Sequence, residues 1–181
     1  MTKGLMLPPG AGRQITGGGL QATLKVPGGA GALTSTFEVV IPAGYDVGAH
    51  VHTVGEELFY VVEGEVDLLA FEPLSRATPD WHEWESARGQ RYLHGGRGAL
   101  LFVPAGTPHA FSNPTDRPAI LLFQSAPAGH EDYFEELAAL LRATHGPPDQ
   151  AAITEIRTRH DIHQITPFYD GSSRRSNGKP L

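Results

Sequence analysis

The chain contains no cysteine. Disulfides, thiolate zinc sites, iron–sulfur clusters and cysteine nucleophiles are therefore excluded, and any metal must be held by His, Asp or Glu. Positive charge is in short supply: 14 Lys and Arg stand against 20 Asp and Glu, for a net charge of −6. No broad basic face is available to neutralise phosphates, so neither a nucleic acid nor an anionic membrane is expected as a partner. No apolar run approaches the roughly 20 residues that cross a bilayer. Pro8-Pro9 interrupts the first apolar stretch too early for a secretory segment, and a cytoplasmic location is expected. Uninterrupted helix-forming text is scarce too. With 22 glycines and 15 prolines among 181 residues, a helix bundle would carry breakers in its element interiors. These residues do not recur every third position, so a collagen-like chain is excluded as well.

What is present is a one-domain length with 40% hydrophobic residues, enough for a substantial core. Turn residues divide it into short, Val-, Leu- and Phe-rich runs. Strands are expected at Leu20–Val26, Leu33–Ile41, Ala49–Val54, Leu58–Glu63, Glu65–Phe71, Gly98–Val103, His109–Ser112 and Ala119–Ser125. The glycine runs Gly17-Gly18-Gly19 and Pro27-Gly28-Gly29 lack the Lys-Ser/Thr ending of a phosphate-binding loop and read as hairpin turns. So many short strands indicate an all-β sandwich or barrel. Residues 72–97 interrupt the rhythm with Trp81, Trp84, His82, His94 and four arginines. Two readings are open for them: a lid or binding loop carrying specificity, or an excursion that its tryptophans anchor. From residue 128 the period becomes helical. Glu131–Thr144 aligns Tyr133, Phe134, Leu137, Ala138, Leu140 and Leu141, and Gly146-Pro147-Pro148 stops it. A second helix is expected from an Asp149 cap to about His160, followed by a polar tail, Asp170–Leu181. The chain thus divides into an N-terminal strand arm (1–32), a barrel (33–127) and a helical extension with its tail (128–181).

The chemistry concentrates in two short segments. His50 and His52 stand at i and i+2, so on a strand both imidazoles leave the same face. A turn at Thr53-Val54-Gly55 could fold the next strand back and bring Glu57 to the same interior. Further on, a strand enters the Pro104-x-Gly106 turn and His109 opens the return strand. Three neutral imidazoles and one carboxylate suit one divalent first-row metal, Fe, Ni, Mn, Co or Zn. The other histidines, His82, His94, His130, His145, His160 and His163, lack ligand spacing, and surface positions are expected for them.

These segments resemble the cupins. Gly44-x5-His50-x-His52-x4-Glu57-x6-Gly64 is similar to the first cupin motif, and Gly98-x5-Pro104-x-Gly106-x2-His109-x3-Asn113 to the second. Four Gly, three His and one Pro at fixed places arise by chance on the order of 10⁻⁹ per placement at this composition. The resemblance implies a double-stranded β-helix, a jelly-roll barrel, with a C-terminal helical extension. It assigns His50, His52, Glu57 and His109 as metal ligands, and Gly44, Gly64, Gly98, Pro104, Gly106 and Asn113 as turn makers. Phe37, Val39, Phe59, Val61 and Phe111 share the ligands' alternation and are expected to line an apolar pocket, with Ile41 on the same face and Tyr60 turned away. The chain is similar to single-domain dioxygenases of the flavonol- or quercetin-cleaving type. That implies a small enol, phenolic or diketone substrate, O₂ as co-substrate, and Glu57 as the base if the apolar pocket raises its pKa. The same ligands serve a non-redox cyclase, isomerase, decarboxylase or lyase, or a module that only binds a small molecule. A homodimer is implied by resemblance.

Overall fold

The computed structural model describes residues 4–17, 19–29, 31–144 and 149–170, with Tyr169 and Asp170 described by backbone alone. His145, the Gly146-Pro147-Pro148 helix stop and the tail after Asp170 lie outside the described residues.

In chain order the strands are β1 (Arg13–Gly17), β2 (Leu20–Val26), β3 (Ser35–Ile41), β4 (Tyr45–Asp46), β5 (His50–Val51), β6 (Glu56–Glu63), β7 (Glu65–Ala70), β8 (Leu93–Gly96), β9 (Leu100–Val103), β10 (His109–Ser112), β11 (Ala119–Ala126), β12 (His163–Gln164) and β13 (Tyr169–Asp170). Two helices, α1 (His130–Ala143) and α2 (Gln150–Arg159), separate β11 from β12. The first sheet runs β1-β2-β3-β11-β6-β9 and the second β12-β5-β10-β4-β13, with β7 bridging β10 and β8; all pairs are antiparallel. This is the jelly roll with a helical C-terminal part that the sequence implies.

Alternation explains the first sheet. Along β3, Ser35, Phe37, Val39 and Ile41 are buried while the residues between them are partly exposed. β11 matches it with Ala119, Leu121, Phe123 and Ser125, in a register that sets Phe123 opposite Phe37 and Leu121 opposite Val39. On its other side β11 pairs with β6, placing Phe123 opposite Phe59 and Leu121 opposite Val61. Each of these large apolar side chains contributes roughly 1.5–3 kcal/mol by burial. The same alternation puts Glu57, two residues before Phe59, on the interior face. Tyr60 points outward, 39% exposed.

The helices dock by both packing and polar ties. Tyr133 and Leu137 of α1 form one apolar cluster with Ile153 and Ile156 of α2 and with Ile162. The Asp149 side chain accepts from the Ala151 N–H and caps α2. At the start of α1, the Glu131 carboxylate accepts from Ser35 Oγ and, at 2.6 Å, from the Gly28 N–H, tying the helix to the barrel. Strands β1, β4, β8, β12 and β13 are additions to the sequence reading. β1 has a single buried side chain, Ile15, and β8 contains two glycines, so neither has a legible alternation.

Residues 72–97 prove to be a buttress. Trp81 and Trp84 are fully buried against Ala49, Leu69 and Ala110. Ala49 and Ala110 neighbour His50 and His109 in sequence, so they occupy the opposite face of the sheet. Trp81 Nε1 also donates to Asp46 at 2.9 Å, and that carboxylate accepts the Gly48 N–H at 2.8 Å. The lid reading is thereby corrected: the tryptophans anchor the excursion on the outer face, and neither lines the cavity described below.

Candidate metal centre

His50 opens β5, His52 follows it, Glu57 is the second residue of β6 and His109 opens β10. The β5–β10 pairing sets His109 directly opposite His50. Gly106 in the Pro104-x-Gly106 turn has φ +79° and donates its N–H to the His52 carbonyl at 2.7 Å, joining the two motif segments. Asn113 holds the neighbouring corner. Its Nδ2 donates to the carbonyls of Ile41 (3.0 Å) and Arg117 (2.7 Å), and its Oδ1 accepts from Thr115.

One ligand atom from each of His50, His52, Glu57 and His109 lies within 4.8 Å of all the others, and all four residues are buried. His50 Nδ1 faces the Gly48 carbonyl at 2.9 Å and His109 Nδ1 faces the Thr107 carbonyl at 3.0 Å. A carbonyl only accepts, so Nδ1 carries the proton in each bond and Nε2 presents a lone pair. Glu57 Oε1 lies 3.1 Å from His52 Nε2, and Oε2 lies 2.9 Å from His109 Nε2. Yet His52 Nε2, Glu57 Oε2 and His109 Nε2 are buried without a hydrogen-bond partner. Buried polar atoms are normally satisfied. Donor atoms that converge on one point while missing each other fit a divalent cation, which this set could hold.

The electrostatics agree with the geometry. Burial disfavours the Glu57 carboxylate, but His109 and His52 beside it outweigh burial and hold its pKa well below the usual range. The expected rise of Glu57 is thus corrected: its imidazole neighbours dominate the apolar surroundings. Burial, then the neighbouring His109 and His52, push His50 well down and favour the neutral, ligating form. His52 is raised, because Glu57 overcomes the opposing effect of burial.

A cavity of about 80 Å³ opens from His50 and Glu57. Val39, Ile41, Phe59 and Phe111 line it, together with Leu121 and Phe123. Phe37 and Val61 do not; they are fully buried in the barrel core beneath it. The far wall comes from the C-terminal part, through His130, Tyr133, Phe134, Arg157 and Phe168. His130 is the clearest correction to the surface placement of the spare histidines. Its side chain is 14% exposed, 3.9 Å from Glu57, and burial lowers its pKa to about 4. The helical period sets it on the face of Tyr133 and Phe134, which it precedes by three and four positions, but does not say where that face docks. A second opening of about 260 Å³ reaches Glu57, His52 and His130 from the other side. His82 is also partly buried, paired with Asp67 and Asp80, whereas His94 and His163 are exposed.

A jelly roll with three histidines and a glutamate converging in its interior defines a class, the β-barrels with a candidate internal metal centre. Residues 22–145 match the family model for Cupin, and the chain belongs to the cupins. Among solved structures it is similar to a Cupin 2 conserved barrel domain protein from Salinispora arenicola, with 18% identity over 88% of this chain and 100% of that one, and a TM-score of 0.47. KdgF from a Halomonas species gives 14% identity, 63% and 85% coverage and a TM-score of 0.47. A predicted oxalate decarboxylase from Thermotoga maritima gives 16%, 60% and 80%, and 0.44. No curated protein matches the sequence. Among the described residues, no helix is long and apolar enough to cross a membrane.

Proposed function

We propose that the chain is a metal-dependent dioxygenase acting on a small enol, phenolic or diketone substrate. One observation carries this reading: four buried ligand atoms converge, three of them lacking hydrogen bonds, where an aromatic-lined cavity begins. His50, His52, Glu57 and His109 hold one divalent ion, Fe, Ni, Mn, Co or Zn. When bound, the ion supplies Lewis acidity toward a substrate oxygen and, if redox-active, a means of engaging O₂. Phe59, Phe111 and Phe123 pack on the apolar body of the substrate and exclude bulk water. Glu57 is ionised, the form a proton acceptor requires, and lies at the cavity wall within reach of a substrate hydroxyl. His130, neutral and opposite, offers a ring nitrogen to the same hydroxyl.

The test is elemental analysis of protein purified without added metal, then O₂ uptake with a panel of flavonols and 1,3-diketones. Iron, nickel, manganese or cobalt together with uptake supports the proposal. Zinc with turnover but no uptake replaces it with a non-redox metalloenzyme, and no turnover with any class leaves a binding module. Glu57→Gln is expected to lower turnover about 10²-fold or more if the base role holds. Retained metal in that variant separates the base role from ligation.

A further inference from the structure

Arg157 was not singled out by the sequence, and it stands out in the structure. It lies in α2, is 3% exposed, and lines the same cavity as His50 and Glu57. Each of its partners among the described residues is neutral. Nε donates to the Tyr133 hydroxyl at 3.2 Å, Nη1 donates to Gln164 Oε1, and the guanidinium sits 4.7 Å over the Phe168 ring. Among the described side chains no carboxylate pairs with it, and Nη2 makes no hydrogen bond. The guanidinium cannot shed its proton as a buried lysine can. An unpaired buried charge costs several kcal/mol even after relaxation. Holding α2 against α1 and β12 does not require a full charge, because a neutral donor can also hydrogen-bond Tyr133 and Gln164. Among the described residues, Glu57 is the one carboxylate on the cavity wall, and it faces His52 and His109 rather than Arg157.

We propose that Arg157 supplies the counter-charge for the cavity's ligand, which is a small apolar acid. Its carboxylate or enolate oxygens meet the free edge of the guanidinium, and its apolar body lies among Phe59, Phe111 and Phe123. The planar fork suits a two-oxygen anion, and the low-dielectric wall strengthens the pairing. The inference rests on reading this cavity as the substrate site and narrows the substrate from any enol or phenol to one with an anionic group.

Titration calorimetry of the full chain with trans-cinnamate and its neutral isostere trans-cinnamamide tests it. Wild type is expected to bind the acid at least tenfold more tightly. Arg157→Met should bring the two within about twofold, and Arg157→Lys, which keeps the charge but loses the fork, should fall between. Circular dichroism establishes that each variant is folded; if Arg157→Met is not, the Lys variant carries the test through its reduced preference. His109→Ala keeps Arg157 and removes a proposed metal ligand, and there the acid preference should persist. Equal affinity for acid and amide in wild type overturns the inference, as does an undiminished preference in both Arg157 variants. A preference abolished in His109→Ala assigns the anion to the metal and also overturns it. A wild-type protein that holds no metal yet prefers the acid contradicts the metal reading alone.

Discussion

A histidine–carboxylate cluster lies on each side of the second sheet, the inner one completed by Glu57 from β6 of the facing sheet, and the two differ in kind. On the inner face, His50, His52 and His109 surround Glu57, and three of the facing atoms have no hydrogen-bond partner. On the outer side, Asp67 is met by His94 Nδ1 at 2.7 Å and by His82 Nε2 at 3.4 Å, and His82 Nδ1 meets Asp80 at 2.8 Å. There each donor finds an acceptor, and His94 is more than half exposed. The residue types are the same, and the chain alternates between the two faces one residue at a time. Sequestered atoms left unsatisfied, rather than the mere gathering of His and acid, mark the inner cluster as the one that could take a metal. The outer cluster is complete as a set of ion pairs.

The largest effect expected from perturbing this contrast is on the outer face. Trp81→Ala removes a fully buried indole and its bond to Asp46, and should cost about 3–5 kcal/mol in a denaturant melt. The acid-over-amide preference should survive in whatever fraction folds, because the indole does not line the cavity. A changed preference at unchanged stability would restore the lid reading of residues 72–97.

Next is the link between the faces. Gly48 has φ +69°, and a Cβ there would lie 2.4 Å from the Pro167 carbonyl. Its carbonyl orients His50 and its N–H binds Asp46. Gly48→Ala is expected to destabilise the protein by about 1–3 kcal/mol and to weaken metal binding. Equal metal affinity in the variant would detach His50 from that support.

The smallest effect is electrostatic. Burial works against the Asp67 carboxylate, but His82 and His94 outweigh it and lower its pKa; His82 rises because Asp67 and Asp80 overcome its burial. The lowered Asp stabilises above its ordinary 3.8 and loses that contribution as pH falls through its folded value. The raised His stabilises below its ordinary 6.5 and loses that contribution as pH rises through its folded value. The pairs therefore contribute most between about pH 4 and 6.5, and by on the order of 1 kcal/mol. Asp67→Asn should reduce the melting temperature more at pH 5.5 than at pH 9. A uniform loss at both would remove the pairing from the outer cluster.

Much of this was legible in sequence because the informative contacts are local. His50 and His52 share a face by alternation, Glu57 and His109 follow short turns, and Asn113 bonds Thr115 and Arg117 within a few residues. β2 and β10 run between the expected residues, and α1 is displaced by a single residue at its start. What stayed hidden depends on long-range docking. The apolar face of α1 was plain, but nothing local says that it closes the barrel mouth and delivers His130. Arg157 sits in a weakly amphipathic helix whose orientation is set by Tyr133 and Ile162. The side of the sheet that Trp81 covers is decided by strand parity across a long excursion. The basicity of Glu57 was misjudged because the imidazoles that lower it become its neighbours only in the fold.

The most direct test compares one histidine from each cluster by elemental analysis of protein purified without added metal. Wild type and His94→Ala should each carry close to one divalent transition-metal ion per chain, and His109→Ala should lose it by tenfold or more. Equal metal content in His109→Ala and wild type, or a loss confined to His94→Ala, would contradict a metal centre on the inner face.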